Sequence, residues 1–324
     1  MPAIYTHTVF ARNVLKKLPS NIKKSIKSET KLYELFSQSF DFLFYYNFLS
    51  IKSGSYIRNF GRFCHRNNCK AYLLNIIKYL KDNNLTHNKE LLAYLYGSIN
   101  HYTCDSTMHP YINYLAKEKN KKGMHTKIEF NIDAYYYEKE THKCFYKYNL
   151  AKDLLSPISF SNTLKSCMDT VYKTTFNVDN IGKIYEKSYN QSHILFKLAM
   201  QDRLGIKKAI YKIIDLIPFK FDFSFSACSF NIKQIDTSFL NIDHNAWNNI
   251  CYKGTKYTYS WDDLFKKAEL KSIKIINLCD LYFKDKIAFG KLSRSILNIT
   301  YSNGIKLDSR HLKMYKELWK TQFF

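Results

Sequence analysis

The sequence predicts an all-α protein, and two observations predict it. Helix breakers are scarce, with 9 glycines and 5 prolines in 324 residues, so few positions interrupt a helix. Apolar residues also recur through most of the chain at the spacing of a helix that buries one face.

The elements follow in order. Residues 9–18 read as a first helix stopped by Pro19, and 29–36 as a second. In 71–80, Leu73, Ile76, Ile77 and Leu80 share one helical face. Residues 89–108 are the clearest long helix, with Leu91, Leu95 and Ile99 in register and Pro110 marking its end. Residues 126–138 form the next helix. Further on, 160–174, 181–203 and 206–217 carry helical periodicity, whereas 218–259, rich in Phe, Ser, Asn and Asp, reads as a long irregular segment. Residues 261–281 resume the helical pattern, with Ser260 as N-cap and Asp262 and Asp263 in the first turn. Residues 311–319 read as a terminal helix. No repeat or low-complexity linker divides the chain. Residues 1–150 are expected to form one part and 151–324 a second that packs on it as a continuous domain.

Fifty Lys and Arg against 27 Asp and Glu leave a net charge of +23. Such a surface attracts polyanions: nucleic acid, anionic lipid headgroups or phosphorylated metabolites. A solvated lysine coat accounts for the same charge equally well. The 8 cysteines are scattered and form no CxxC pair, so they read as reduced, mostly buried thiols. Cys64 and Cys104 sit beside candidate metal ligands and are rivals for that role. The opening MPAIYTHTVFARNVLKK lacks the order of a signal peptide. The longest apolar stretch, 40–51, holds Asp41 and Asn47 and is too short to span a bilayer. The expected location is the cytoplasm, with peripheral membrane contact open to it.

Seven of the 10 histidines lie before residue 145. Within His101-Tyr-Thr-Cys-Asp105-Ser-Thr-Met-His109, three ligand-type side chains stand at i, i+4 and i+8. On a helix they share one face, about 6 Å apart. Imidazole and carboxylate on one stripe suit zinc or another divalent ion. His125 and Glu129 repeat the i, i+4 pairing on the next helix, and Asp133 extends it. Two helices that present ligands inward are a common way for a bundle to build a metal site. One HxxxD is a chance occurrence, whereas HxxxDxxxH followed by HxxxE is a much stronger signal. His7, Asp41 and His65 would be ordinary residues if read alone. His87, His142, His193, His244 and His311 read as structural or exposed.

The chain resembles the zinc-dependent phospholipase C family, in particular bacterial members without a secretion signal. The resemblance is carried by Met-Pro-Ala-Ile-Tyr-Thr-His7, by Phe40-Asp41-Phe-Leu-Phe-Tyr-Tyr and by Gly97-Ser-Ile-Asn-His101…Asp105-Ser-Thr-Met-His109-Pro110. A weaker match runs through His244-Asn-Ala-Trp247. The P1/S1-type nucleases share this fold and zinc arrangement. The resemblance implies a multi-helix phospholipase C/P1 nuclease-like domain with its metal-binding core in 1–150. It implies two to three Zn2+ ions: one held by Asp41, His65, His101 and Asp105, and a second by His109, His125 and Glu129. A third would be bridged by Asp105 and completed by His7 and the amino terminus at Pro2, since a small residue after Met1 normally permits removal of the initiator methionine. The gap from Asp105 to His109 is narrower than in the secreted members, a Pro replaces their terminal Trp, and Cys64-His65 replaces a His-His pair.

The implied activity is hydrolysis of a phosphodiester, most simply a phospholipid headgroup. Zinc lowers the pKa of water towards neutrality and offsets the phosphate charge. Asp41 is the candidate to position or deprotonate that water. Tyr5, Asn100 and Asp133 are candidate partners of the ligands. Phe42, Phe44, Tyr45 and Tyr46 would line a lipid cleft or simply fill the core. A single-strand nuclease, with tyrosines stacking bases, is the weaker enzymatic alternative. A metal-stabilised protein without turnover is the alternative of another class.

Overall fold

A computed structural model describes residues 4–50, 52–217, 224–252 and 254–307. Among them the secondary structure is helical. The isolated bridges Trp247–Tyr257 and Ile299–Lys306 are the extended pairings found. The helices are α1 (Ile4–Lys17), α2 (Ser20–Ser25), α3 (Thr30–Phe36), α4 (Ser55–Cys64), α5 (Cys69–Asp82), α6 (Lys89–Lys119), α7 (Met124–Thr141), α8 (Leu150–Asp153), α9 (Asn162–Phe176), α10 (Ile181–Leu195), α11 (Ile206–Ile214), α12 (Trp261–Phe283) and α13 (Phe289–Ser295). A 3₁₀ segment, Ser39–Tyr45, joins α3 to the loop before α4.

The axis of the molecule is α6. It is buried almost without interruption from Leu91 to Met108, as a helix must be when apolar residues surround it. Asn88 starts it, its side chain accepting Leu91 N–H at 3.0 Å. Around it pack α12, α3, α7, α5 and α1. The close approach of α3 is admitted by Gly97, where a Cβ would come within 2.7 Å of Phe36 Cβ and Tyr33 O. Helix α12 starts in a capping box between Ser260 and Asp263 and bonds to α6 through Ser272 and Thr103. One hydrophobic cluster runs from Ile4 to Tyr301, so α9, α10 and α12 share the core built by the first half.

Four expected boundaries are corrected. Helix α1 begins at Ile4 rather than residue 9, which puts His7 inside the helix. Its start carries no local cap signal because its cap comes from elsewhere in the chain. Helix α6 does not stop at Pro110 but continues to Lys119. The proline deletes one backbone bond, and packing outweighs that loss. Gly304, at φ +62°, lies against the same turn, where a Cβ would meet Ser106 O at 2.5 Å. The expected helix at 181–203 ends earlier, passing into a π turn, Phe196–Met200. Likewise, 206–217 is helical only to Ile214. The described part of 218–259 is irregular as expected, with short 3₁₀ turns. The expected terminal helix at 311–319 lies outside the described residues. No helix among those described is long and apolar enough to cross a membrane.

Candidate metal centre

The stripe on α6 brings His101, Asp105 and His109 to one side of a buried helix, and α7 faces it with His125 and Glu129. His101 and Asp105 are 0% and 3% exposed. His101 Nε2 lies 3.0 Å from Asp105 Oδ2 and 3.2 Å from Asp41 Oδ2. His109 Nδ1 lies 3.4 Å from Asp105 Oδ2, and its Nε2 3.3 Å from Glu129 Oε1. His125 Nε2 completes that side, 3.1 Å from the same Glu129 oxygen.

Three elements bring in the residues that sequence alone could not justify. Asp41 sits on the 3₁₀ segment, whose Ser39 and Phe42 carbonyls accept hydrogen bonds from Tyr185 and Ser188 of α10. His65 follows the last turn of α4. Its Nδ1 lies 2.7 Å from Gly61 O, so this nitrogen donates and Nε2 is aimed at Asp41 Oδ1, 2.9 Å away. His7, on α1, places Nε2 3.2 Å from Asp105 Oδ1. Thus His7, Asp41, His65, His101, Asp105, His109, His125 and Glu129 meet in one continuous cluster. Within it, His7, Asp41, His101 and Asp105 form one group whose ligand atoms lie within 4.8 Å of one another, and His109, His125 and Glu129 form another. Pro2 lies outside the described residues. Cys64 and Cys104 belong to neither group. Cys104 donates to Met108 Sδ, and burial raises both thiols above the usual range.

The donor chemistry fits divalent cations. With its Nδ1 donating to Gly61 O, His65 turns Nε2 onto a carboxylate oxygen of Asp41, an arrangement that needs a cation or a proton between them. His7 Nδ1, Asp41 Oδ2, His101 Nε2 and Asp105 Oδ2 are buried without a well-formed hydrogen bond, although such atoms are normally satisfied. Among His7, Cys104, Asp105, His109 and Glu129 lies a cavity of about 20 Å³, room for one water or ion. Imidazole nitrogens and carboxylate oxygens together are zinc's ordinary ligands.

Electrostatics point the same way. Burial would raise Asp41, yet His101 and His65 pull it down to about 2. Burial likewise opposes His109 and His101, which hold Asp105 well below the carboxylate range. Glu129 is depressed against burial by His125 and His109. On the imidazoles burial lowers the pKa, but Asp105 and Asp41 lift His101 to about 9. Asp105 and Glu129 lift His109 to about 9. Cys104 and Asp105 lift His7 to about 10. Without a metal, protons hold the cluster together.

Asp133 is the missing cap of α1. It accepts the backbone N–H of Tyr5 at 3.1 Å and of Thr6 at 2.7 Å, and the Thr6 hydroxyl at 2.6 Å. The first turn of α1, and with it His7, is therefore fixed by α7, one turn beyond Glu129. Asp133→Ala should lower unfolding free energy by about 2 kcal/mol, the upper range for a lost N-cap. Urea titration checks this, and a loss below about 0.5 kcal/mol would assign the anchoring of α1 to other contacts.

Tyr301 was not legible in advance. Its N–H donates to His65 O at 2.9 Å, its carbonyl lies 3.2 Å from His109 Nδ1, and its ring is 5.0 Å from that of His101. In a chain with 27 tyrosines nothing marked this one. Of the aromatics near Asp41, Phe42 and Tyr45 are core, while Phe44 stacks on His65 at 5.5 Å. Asn100 donates to Ser37 Oγ and Tyr5 to Glu140, so neither hydroxyl nor amide supports a ligand through these bonds. Trp247 packs on Tyr111, and exposed His244 binds Thr258 O.

An all-helical scaffold that converges buried imidazoles and carboxylates from α1, α4, α6, α7 and a 3₁₀ turn defines a class: helical proteins whose side chains form groups that could hold a metal ion. Within that class the chain belongs to the zinc-dependent phospholipase C family, whose model matches residues 6–180, more than half of its length. No curated protein and no solved structure matches it.

Proposed function

We propose that this protein is a zinc-dependent phosphodiester hydrolase that releases a phospholipid headgroup, as a phospholipase C does. The observation that carries the reading is the convergence of eight ligand-type side chains in one continuous cluster within the family-matched segment. Two to three zinc ions suit this donor set. Asp41, His65, His101 and Asp105 would hold one, and His109, His125 and Glu129 a second. Asp105 and His7 would serve a third that Pro2 completes. Bound zinc supplies an acidified water and positive charge opposite the phosphate.

The chain's own residues do the rest. Asp41 is kept ionised by its imidazole neighbours and fixed by His65, which suits it to orient the attacking water as a hydrogen-bond acceptor. Asp105, shared by both halves of the cluster, sets their spacing. His125, with 35% of its side chain exposed, marks the side on which a phosphate can enter. Phe44 offers an apolar face beside Asp41, which supports a lipid over a nucleotide. The 8 free cysteines support a reducing, cytoplasmic setting.

The purified protein should release phosphocholine from phosphatidylcholine and cleave a chromogenic phosphodiester, lose both activities to a chelator and regain them with zinc. Asp41→Asn should lower kcat by about 10²–10⁴-fold. Degradation of single-stranded DNA without phosphocholine release would move the assignment to a nuclease. Full zinc occupancy with neither activity would leave a metal-stabilised protein without turnover.

A further inference from the structure

Helix α11 lies beyond the family-matched segment and buries none of its residues. Its sequence, IKKAIYKII, puts Ile206, Ile210 and Ile213 on one stripe, 59%, 50% and 68% exposed. Leu198, Leu204 and Leu216 add exposed aliphatic surface beside it. This is no frayed segment. Asp202 accepts the N–H groups of Gly205 and Lys208 at the helix start. Tyr211 donates to Ala199 O at 2.9 Å, and Lys208 Nζ to Asn231 O at 2.5 Å. The polar side is tied to the protein, so the apolar stripe is held outward.

Basic groups outnumber acidic ones around it, with Asp202 and Asp215 at its two ends. The helix carries three lysines and no acid. Its inner side borders a cavity of about 1140 Å³ lined by six lysines, among them Lys121, Lys127, Lys212 and Lys233, and by one carboxylate, Asp236. Lys208 is depressed by burial and by Lys212 and Lys127, against the opposing pull of Asp202. Lys121 and Lys127 lie on either side of His125 in the sequence.

We propose that α11 and this lysine-lined cavity form a docking surface for an anionic phospholipid bilayer, the isoleucine stripe entering the acyl boundary and the lysines meeting the headgroups. An amphipathic helix with a lysine-rich polar face is the element that lies in such an interface. Long lysine side chains can reach headgroups from beside the inserted stripe. A second copy of the chain is the poorer occupant, because it would set lysines against lysines on a protein of charge +23. The inference rests on the phospholipid reading for its purpose, but its test is separate from it.

The full chain is sedimented with vesicles of phosphatidylcholine alone and of phosphatidylcholine mixed with phosphatidylglycerol. Wild type should bind the mixed vesicles preferentially, and more weakly as salt rises. The triple variant I206S/I210S/I213S should bind them about tenfold or more weakly, and K212E/K233E should remove the preference for anionic lipid. Both variants should cleave the soluble chromogenic phosphodiester at the wild-type rate. Loss of that activity in wild type would sink the phosphodiesterase reading and leave the docking surface standing. Equal vesicle binding by the triple variant and wild type overturns the proposal. So does a wild-type dimer that the triple variant converts to monomers without any change in vesicle binding.

Discussion

Asp105→Ala is expected to remove at least one zinc per chain and to abolish phosphodiester cleavage to below about one hundredth of wild type. The magnitude follows from comparison: loss of a residue that merely supports a ligand typically costs 10–100-fold, and Asp105 belongs to one group and contacts His109 of the other. One oxygen faces His7 at 3.2 Å, and the other faces His101 at 3.0 Å and His109 at 3.4 Å. The metal-free variant should also be less stable by about 3–5 kcal/mol, because breaking a buried ion pair strands its partners. Elemental analysis and a urea titration with chelator read the two effects. An unchanged zinc content would remove Asp105 from the ligand set, whatever happened to activity.

The parts of this centre that were legible in the sequence are those that a helix repeats. His101, Asp105 and His109, then His125 and Glu129, are set by the period of α6 and α7, so their common faces follow from spacing alone. Asp41, His65 and His7 come from a 3₁₀ turn, a helix end and a helix start. No periodicity links these to α6, and only resemblance to a family suggested them. The start of α1 was missed for a related reason: its cap, Asp133, lies 127 residues from Thr6, and local capping signals do not register a cap supplied by another helix. Pro110 was misread as a stop because its local cost is visible in sequence, whereas the packing that outweighs it is not. Tyr301 closes the site from the far end of the chain. Such long-range contacts depend on how α12 and the segment after α13 return to α6, which composition does not encode.

Zinc should stabilise the protein by an amount that grows with pH, and the metal-free protein should weaken over the same range. His101 and His109 are raised from 6.5 to about 9, and His7 to about 10. A raised imidazole contributes stability that is complete below its unfolded pKa and is lost as pH climbs through the folded value. Asp133, lifted by burial from 3.8 to about 7 despite three donors, adds a penalty that grows between those values, with the same sign. Asp41 acts at the other end, its contribution present above 3.8 and lost as pH falls through about 2. The metal-free melting temperature should therefore peak between about pH 4 and 6.5 and fall steadily towards pH 10. Zinc must displace the imidazole protons to bind, so its stabilising effect is smallest on the acid side and largest near pH 9. Melting curves with chelator and with zinc, from pH 5.5 to 9.5, read both trends. A zinc-induced gain that stays flat over this range would mean that these imidazoles do not exchange protons for metal.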